Sequence, residues 1–348
     1  MSAIIQGDMR DVITIGSATT DAFMEISLPL IDYPSTPLGK AIAIPFGEKI
    51  SAKNMELTTG GNAMNAAVTL RRQGLRTAPC IRVGNDAFGV SIIDRLKKER
   101  INSSFVFVDK KLSTSYSSIF LEKGDRSIIN YKGAGEELVS EELPLHKMKA
   151  YWWYVSLPGK SISLLSSLVS YAASNNIRIA FNPSSWHLER AKSQIIKSIK
   201  KVDFLVLNEG EAAQLVGIPF SKEREVFRAL DGITPGVVAV TSGSKGVTVS
   251  DGNYIYKAGI FKEKRLVDRT GAGDAFGSGF VAGLIRSGEE CKRGNIDPQN
   301  IEYAIRLGTA NAASVVEEIG ASEGSLTRKD FDKQRRWSRL RIIKTKIS

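Results

Sequence analysis

Cysteine is scarce in this chain of 348 residues, which contains only Cys80 and Cys291. Two thiols cannot form the disulfide framework of a small secreted protein, so both are expected to be reduced. The first residues lack a signal-peptide pattern, and no apolar run approaches the length that spans a membrane. We therefore expect a cytoplasmic protein without a membrane partner.

Internal repeats and low-complexity stretches are also missing. Hydrophobic residues make up 42% of the chain, enough to bury a substantial core. Apolar runs of strand length alternate with helical patterns, and such alternation predicts a parallel sheet. The expected fold class is α/β, with one large domain over residues 1–340.

Positive charge is unevenly distributed along the chain. The net charge is +11, and residues 328–348 contain nine Lys or Arg against two Asp. A basic segment can bind nucleic acid or anionic membranes, but this one lacks the interleaved aromatic residues on which bases stack. We predict a solvated basic tail over residues 341–348 and no nucleic-acid partner.

The segment VDRTGAGDAFGSG, residues 267–279, runs into an apolar periodic stretch. The backbone N–H groups of Gly271, Ala272 and Gly273 should therefore crown a helix N-terminus, which binds anions. Asp274 lies beside this anion site and is a candidate general base for a hydroxyl that attacks a terminal phosphate. The alternative is close helix packing, with Asp274 favoured by the helix dipole.

Two more polar stretches follow apolar runs of strand length. Asn208 and Glu211 come after residues 202–207, and open α/β sheets place their sites at such strand ends. The glycine-rich stretch TSGSKG, residues 241–246, follows the next run and can cradle phosphates or form an ordinary hairpin turn. Its candidate contacts are Thr241, Ser242, Gly243 and Gly246.

Short polar side chains also follow the first predicted strand, residues 12–16. Asp21 comes soon after it, and the pair Gly60 and Gly61 precedes a predicted helix that carries Asn62 and Asn65. Such groups suit sugar hydroxyls, although each alone is typical of a turn or a helix cap.

Four motifs in this order resemble those of the ribokinase-like (PfkB) family of carbohydrate and nucleoside kinases. Residues 60–65, GGNAMN, resemble its N-terminal signature, and residues 268–274 resemble its C-terminal one. Residues 208–211 resemble its N-x-x-E motif, and residues 241–246 its T-x-G-x-x-G turn. The resemblance extends over residues 12–325.

The resemblance implies a three-layer α/β/α fold with a mostly parallel central sheet and a small β-sheet lid. Two segments, residues 22–52 and 103–131, break the alternation of strand and helix and are expected to form the lid. In this family such lids pair edge to edge, which implies a homodimer.

The resemblance also implies a mechanism. ATP lies along residues 241–246 with its γ-phosphate at residues 271–273, and Asp274 takes the proton of a hydroxyl, expected to be primary. Asn208 and Glu211 organise Mg²⁺ through water. Asp268 and Thr270 match positions that bind a monovalent cation, K⁺, in some members. The residues implied to hold the acceptor are Asp21, Gly60, Gly61, Asn62, Asn65 and Asp274.

The identity of the acceptor stays open at this point. Ribokinases carry GGKGAN where residues 60–65 read GGNAMN, and a Glu near the position of Ser156, so ribose itself is disfavoured. The aromatic run 151–154, with Phe120 and Tyr131, can stack a nucleobase or pack in the core. We predict an ATP-dependent kinase of a small sugar. The alternatives are an adenosine-like nucleoside kinase and a non-catalytic ligand-binding relative, which retention of Asp274, Gly271 and Gly273 disfavours.

Overall fold

The computed structural model describes residues 9–36, 39–122, 125–288 and 296–347. The sequence also predicts a turn at residues 123–125, and its first two residues, like Cys291, lie outside the described residues. In chain order the strands are β1 (Arg10–Gly16), β2 (Thr19–Glu25), β3 (Leu30–Asp32), β4 (Lys40–Ile42), β5 (Asn54–Gly60), β6 (Thr77–Gly84), β7 (Val106–Asp109), β8 (Tyr116–Glu122), β9 (Asp125–Tyr131), β10 (Ala150–Ser156), β11 (Arg178–Phe181), β12 (Phe204–Asn208), β13 (Val237–Thr241), β14 (Val247–Ser250), β15 (Tyr254–Ala258) and β16 (Ile342–Lys346).

Nine α-helices belong to the described part of the chain. They are α1 (Asn62–Arg72), α2 (Ala87–Lys98), α3 (Leu165–Ser174), α4 (Ser185–Ile199), α5 (Glu209–Val216), α6 (Glu223–Ile233), α7 (Ala272–Arg286), α8 (Pro298–Val315) and α9 (Arg328–Lys333).

A ten-stranded sheet forms the centre of the molecule, in the order β16-β15-β14-β13-β12-β11-β10-β1-β6-β7. The strands from β13 to β7 run parallel, and β14, β15 and β16 are antiparallel to their neighbours. Parallel strands are buried on both faces because crossover helices cover both. The predicted α/β class with a mostly parallel central sheet is confirmed.

The two faces of this sheet bury separate cores. Helices α3 to α6 pack on one face, against Trp153, whereas α1, α7 and α8 pack on the other, against Trp152 and Tyr154. All three aromatic side chains are fully buried in β10. They therefore pack in the core, and none of them is available to stack a nucleobase.

A second sheet of four strands, in the order β5-β2-β8-β9, forms the lid. One row across it aligns Thr58, Asp21, Ser117 and Asn130. The lid boundaries differ from the predicted segments in two ways. Strand β2 begins before residue 22 and β5 lies wholly after residue 52, whereas β7, inside residues 103–131, pairs with β6 in the main sheet.

The predicted basic tail needs a correction. Ile342–Lys346, within residues 341–348, forms strand β16 and pairs antiparallel with β15 at the edge of the main sheet. The Lys344 ammonium lies 4.1 Å from the centre of the Tyr254 ring, a cation–π contact. This part of the chain therefore belongs to the sheet and is not a solvated appendage.

No α-helix among the described residues is both long and apolar enough to cross a membrane. Cys80 is buried as a free thiol, and burial raises its pKa to about 12.

Candidate active site

Two cavities meet at the N-terminus of α7. The first, which we name the lid cavity, has a volume of about 390 Å³ and lies between the lid and the main sheet. The second, the glycine-turn cavity, has a volume of about 280 Å³ and lies beside residues 241–246. Gly271 and Asp274 line the lid cavity, whereas Ala272 and Gly273 line the glycine-turn cavity.

The start of α7 depends on its glycines. Gly271 caps the helix with φ +78°, and a Cβ on it would lie 2.4 Å from the carbonyl oxygen of Ala321. A side chain is therefore excluded there by conformation and by space. A Cβ on Gly273 would meet no atom within 4 Å, so this position opens into the glycine-turn cavity. The first N–H groups of a helix have no partner within the helix and can bind an anion, and of these the Ala272 N–H also donates to the Arg269 carbonyl at 3.4 Å.

Asp274 lies in the first turn of α7 and faces the lid cavity. The Asn65 side-chain amide donates a hydrogen bond to its Oδ2 at 3.1 Å. Burial raises the pKa of Asp274 to about 6, the charge of Glu211 acts in the same direction, and the Asn65 hydrogen bond opposes both. A carboxyl group of this pKa is ionised at neutral pH and can still accept a proton, as a general base must.

Asp21 is positioned by the lid and by Gly60. The Thr19 hydroxyl donates to its carboxylate, and a Cβ on Gly60 would lie 1.9 Å from its Oδ2. Glycine at position 60 therefore makes room for this carboxylate. Burial raises the pKa of Asp21, and hydrogen bonds from Thr19 and Ser117 oppose the shift.

Asn62 and Ser156, which are two of the departures from the ribokinase pattern, contact each other. The Asn62 amide donates to the Ser156 hydroxyl at 2.7 Å. Gly61 caps α1 with φ +93°, and a Cβ on it would lie 2.6 Å from Ala18 Cα. The end of β1, the start of α1 and the end of β10 thus meet at the lid cavity.

Asn208 and Glu211 form a reciprocal cap at the junction of β12 and α5. The Glu211 N–H donates to Asn208 Oδ1 at 2.8 Å, and the Asn208 N–H donates to Glu211 Oε2 at 3.0 Å. The Ser185 hydroxyl donates to Glu211 Oε1 at 3.3 Å, and burial raises the pKa of Glu211. Its remaining lone pairs can accept from metal-bound water, so the residues present fit a water-mediated Mg²⁺.

Residues 241–246 connect antiparallel strands β13 and β14, so the stretch forms a hairpin turn, and phosphate binding there stays a prediction. The Ser242 N–H donates to the Gly246 carbonyl at 2.8 Å, and Gly246 has φ +99°. Thr241 pairs in register with Asn208 on β12. This hairpin turn also walls the glycine-turn cavity, opposite Ala272 and Gly273.

Comparison with known proteins agrees with this arrangement. A sequence profile described as pfkB family carbohydrate kinase matches residues 27–328. The chain belongs to the PfkB family. The predicted membership and the predicted class of ATP-dependent carbohydrate or nucleoside kinase are thereby confirmed.

Relatives of this PfkB-family chain cover nearly all of it. It is 26% identical to a ribokinase of Haemophilus influenzae over 338 residues, 92% of this chain and 97% of that protein. The structure of Arabidopsis thaliana ribokinase complexed with ribose and ATP has a TM-score of 0.74 at 22% identity, covering 95% of this chain and 99% of the other. The nucleoside kinase of Methanocaldococcus jannaschii gives 0.74 at 20% identity, with the same coverage.

The segment before α7 offers a buried carboxylate oxygen. The Thr270 N–H and hydroxyl donate to Asp268 Oδ1 at 3.0 and 2.8 Å, while the buried Oδ2 has no hydrogen-bond partner. An unpartnered, desolvated carboxylate oxygen fits the monovalent cation that the family resemblance implies. Within the described residues, His, Cys, Asp and Glu form no cluster of three or more that could hold a metal.

Sequence reasoning missed several side chains that line the lid cavity. Lys132, Glu136 and Trp186 all face it. They belong to irregular segments between strands and to the start of α4, outside the four family motifs. Unlike the motif residues, they carried no sequence signal that could have identified them.

Proposed function

We propose that this chain is an ATP-dependent phosphotransferase that phosphorylates a hydroxyl group, expected to be primary, of a small sugar unit. The observation that carries the proposal is the first turn of α7. It presents the Asp274 carboxylate to one cavity and the open backbone of Gly273 to the other. A hydroxyl from one side and a phosphate from the other can therefore meet at a single helix end.

The proposed roles follow from this position. Asp274 takes the proton of the attacking hydroxyl, with Asn65 holding its carboxylate in place. The N–H groups of residues 271–273 stabilise the negative charge that develops on the transferring phosphoryl group. Asp21, Gly61 and Asn62 surround the rest of the acceptor in the lid cavity.

Two ions complete the proposal. Asn208 and Glu211 would hold Mg²⁺ through water, and the ion would neutralise charge on the phosphate groups. Asp268 and Thr270 would hold K⁺ beside α7. The cytoplasmic location and a homodimer formed through the lid stay predictions.

A nucleoside is the second candidate acceptor, because the indole of Trp186 is 41% exposed and lines the lid cavity. A flat, accessible aromatic surface suits a nucleobase better than a free sugar. A non-catalytic relative is disfavoured, because the candidate base and the anion site are both present.

Coupled measurement of ADP release tests the proposal, with the purified protein offered a panel of free sugars and nucleosides. At least one acceptor should stimulate ATP consumption and yield a phosphate monoester, in a manner that requires Mg²⁺. Asp274→Asn is the control for contaminating kinases. Stimulation that survives this substitution, or no stimulation by any acceptor in a folded protein that binds ATP, would contradict the proposal.

A further inference from the structure

One carboxylate in the lid cavity has no role in the mechanism above. Glu136 ends a short 3₁₀ turn, Gly133–Glu136, directly after the lid. The turn is fixed to the lid base, because the Ala134 N–H donates to the Ser113 carbonyl at 2.8 Å and the Gly135 N–H to the Ser115 hydroxyl at 3.1 Å. The backbone therefore holds Glu136 at the cavity wall.

The Glu136 carboxylate is incompletely satisfied. Its Oε2 is buried and has no hydrogen-bond partner, and the nearest cation, the Lys132 ammonium, is 3.6 Å away on a side chain that is 63% exposed. A desolvated carboxylate oxygen without a donor is unfavourable, so the site is suited to a ligand that supplies an N–H or O–H group.

An aromatic plane lies beside this carboxylate. A Cβ on Gly159 would be 2.8 Å from Glu136 Oε1 and 3.7 Å from Trp186 Cζ3, so both side chains reach the same point above that glycine. The loop before it is held by His187, whose Nε2 hydrogen-bonds with the Pro158 carbonyl at 3.2 Å. Arg190 stacks on Trp186 with its guanidinium carbon 4.5 Å from the ring centre.

We propose that Glu136 and Trp186 recognise a nucleobase that bears an exocyclic amino group, attached to the sugar that Asp274 deprotonates. The base lies against the Trp186 indole, and its amino group donates to Glu136 Oε2. This inference rests on the proposed kinase function and narrows its acceptor to nucleosides such as cytidine or adenosine. The proposal also fits the hydrogen-bonded pair of Asn62 and Ser156, because both of these side chains are neutral. Glu136 and Lys132 are therefore the charged side chains at this end of the lid cavity.

Matched nucleoside pairs give the sharpest test. Cytidine and uridine, like adenosine and inosine, differ chiefly by an amino group in place of an oxygen. Wild-type protein should prefer the amino member of each pair in kcat/KM. Glu136→Gln should lower kcat/KM for that member on the order of 10- to 100-fold, mainly through KM, because one charge-assisted hydrogen bond is lost. The preference within each pair should shrink or reverse, since the Gln amide can donate to the oxygen.

Glu137→Gln is the matched control, because it removes the same charge from an exposed neighbour outside the cavity lining. It should leave both preferences unchanged. Free ribose and glucosamine complete the panel. If Glu136→Gln weakens glucosamine phosphorylation alone, the amino group belongs to a sugar and the nucleobase assignment is wrong. If a free sugar is the best acceptor and the substitution has no selective effect, the inference fails while the kinase function stands.

A binding measurement separates failure of this inference from failure of catalysis. Of the four tryptophans, Trp152, Trp153 and Trp337 are at most 1% exposed, so acrylamide quenching reports chiefly on Trp186. Cytidine or adenosine should protect Trp186 from quenching without any ATP, and Glu136→Gln should weaken that protection. Absence of protection by every nucleoside would overturn the proposal whatever the catalytic result.

Discussion

A carboxyl group at the floor of a cavity is unfavourable in its ionised form, and Asp274 illustrates why such a group is retained. Its raised pKa reflects burial first, which lowers the stability of the folded chain at neutral pH. The same desolvation strengthens the carboxylate as a base. Catalytic benefit and structural cost therefore arise from one side chain.

Asp274→Asn should separate these two effects. Turnover should fall on the order of 10² to 10⁴-fold, as expected when a general base is removed. Thermal stability at pH 7 should be unchanged or higher, because the neutral amide avoids the cost of a buried charge. The control is Asp231→Asn. Burial also raises the pKa of Asp231, which accepts a hydrogen bond from the Ser250 hydroxyl and lines neither cavity. Normal turnover in the Asp274 variant would remove it from the mechanism.

The raised pKa of Asp274 fixes the direction in which stability and activity change with pH. A carboxyl group whose pKa is higher in the folded chain than in the unfolded one binds its proton more tightly when folded. As pH falls through about 6, protonation of Asp274 should therefore stabilise the fold and abolish its action as a base. A profile of kcat/KM against pH should show an acidic limb near pH 6, and a limb confined to pH 4 would contradict the raised pKa.

Residue types and spacing in the sequence predict the polar groups around α7, but not their contacts. Asn65 and Asp274 are 209 positions apart, and only the fold brings the amide to the carboxylate. The sequence does not predict Glu136 as a site residue, because a single Glu in an irregular segment has no periodic or motif context. Its significance depends on the cavity that it lines.

At the scale of elements, the first turn of α7 offers a paired test. Gly271→Ala should lower stability by about 1–2 kcal/mol or more, since φ +78° disfavours a Cβ and Ala321 occupies its space. Gly273→Ala should leave stability unchanged or slightly raised, because helical alanine is favoured over glycine. It should nevertheless lower kcat, as the methyl group would enter the space that we propose for phosphate.

Thermal unfolding and steady-state kinetics of the two variants check this pair. Equal loss of stability in both would show that Gly273 is required for structure, and unchanged kcat in a stable Gly273 variant would argue against phosphate at that turn.

Strand pairing is the level at which sequence reasoning failed. The sequence predicts the apolar runs of β1, β12 and β13 as strands, because buried parallel strands read as continuous hydrophobic stretches. The apolar run of β7, VFVD, lies inside a segment expected to form the lid, yet it pairs with β6. The composition of a strand does not identify the strand beside it. In β16, the frequent lysines of an edge strand resembled a solvated tail.

At the scale of the whole molecule, neighbouring residues of one helix turn line the two cavities. Gly271 and Asp274 line the lid cavity and Ala272 and Gly273 line the glycine-turn cavity, so a shift of this turn would alter both. The lid stands over one cavity and the β13–β14 hairpin borders the other. The lid and the hairpin therefore border cavities that the first turn of α7 also lines.

This common helix turn has a consequence in thermodynamic linkage. If occupancy of the glycine-turn cavity by a non-hydrolysable ATP analogue multiplies the affinity for the acceptor by some factor, the acceptor must multiply the affinity for the analogue by the same factor. Calorimetric titrations in both orders should give one coupling free energy, on the order of 1–3 kcal/mol for allosteric pairs in general. Gly273→Ala should reduce it, and a value of zero in the wild-type protein would mean that the helix end transmits nothing between its two ligands.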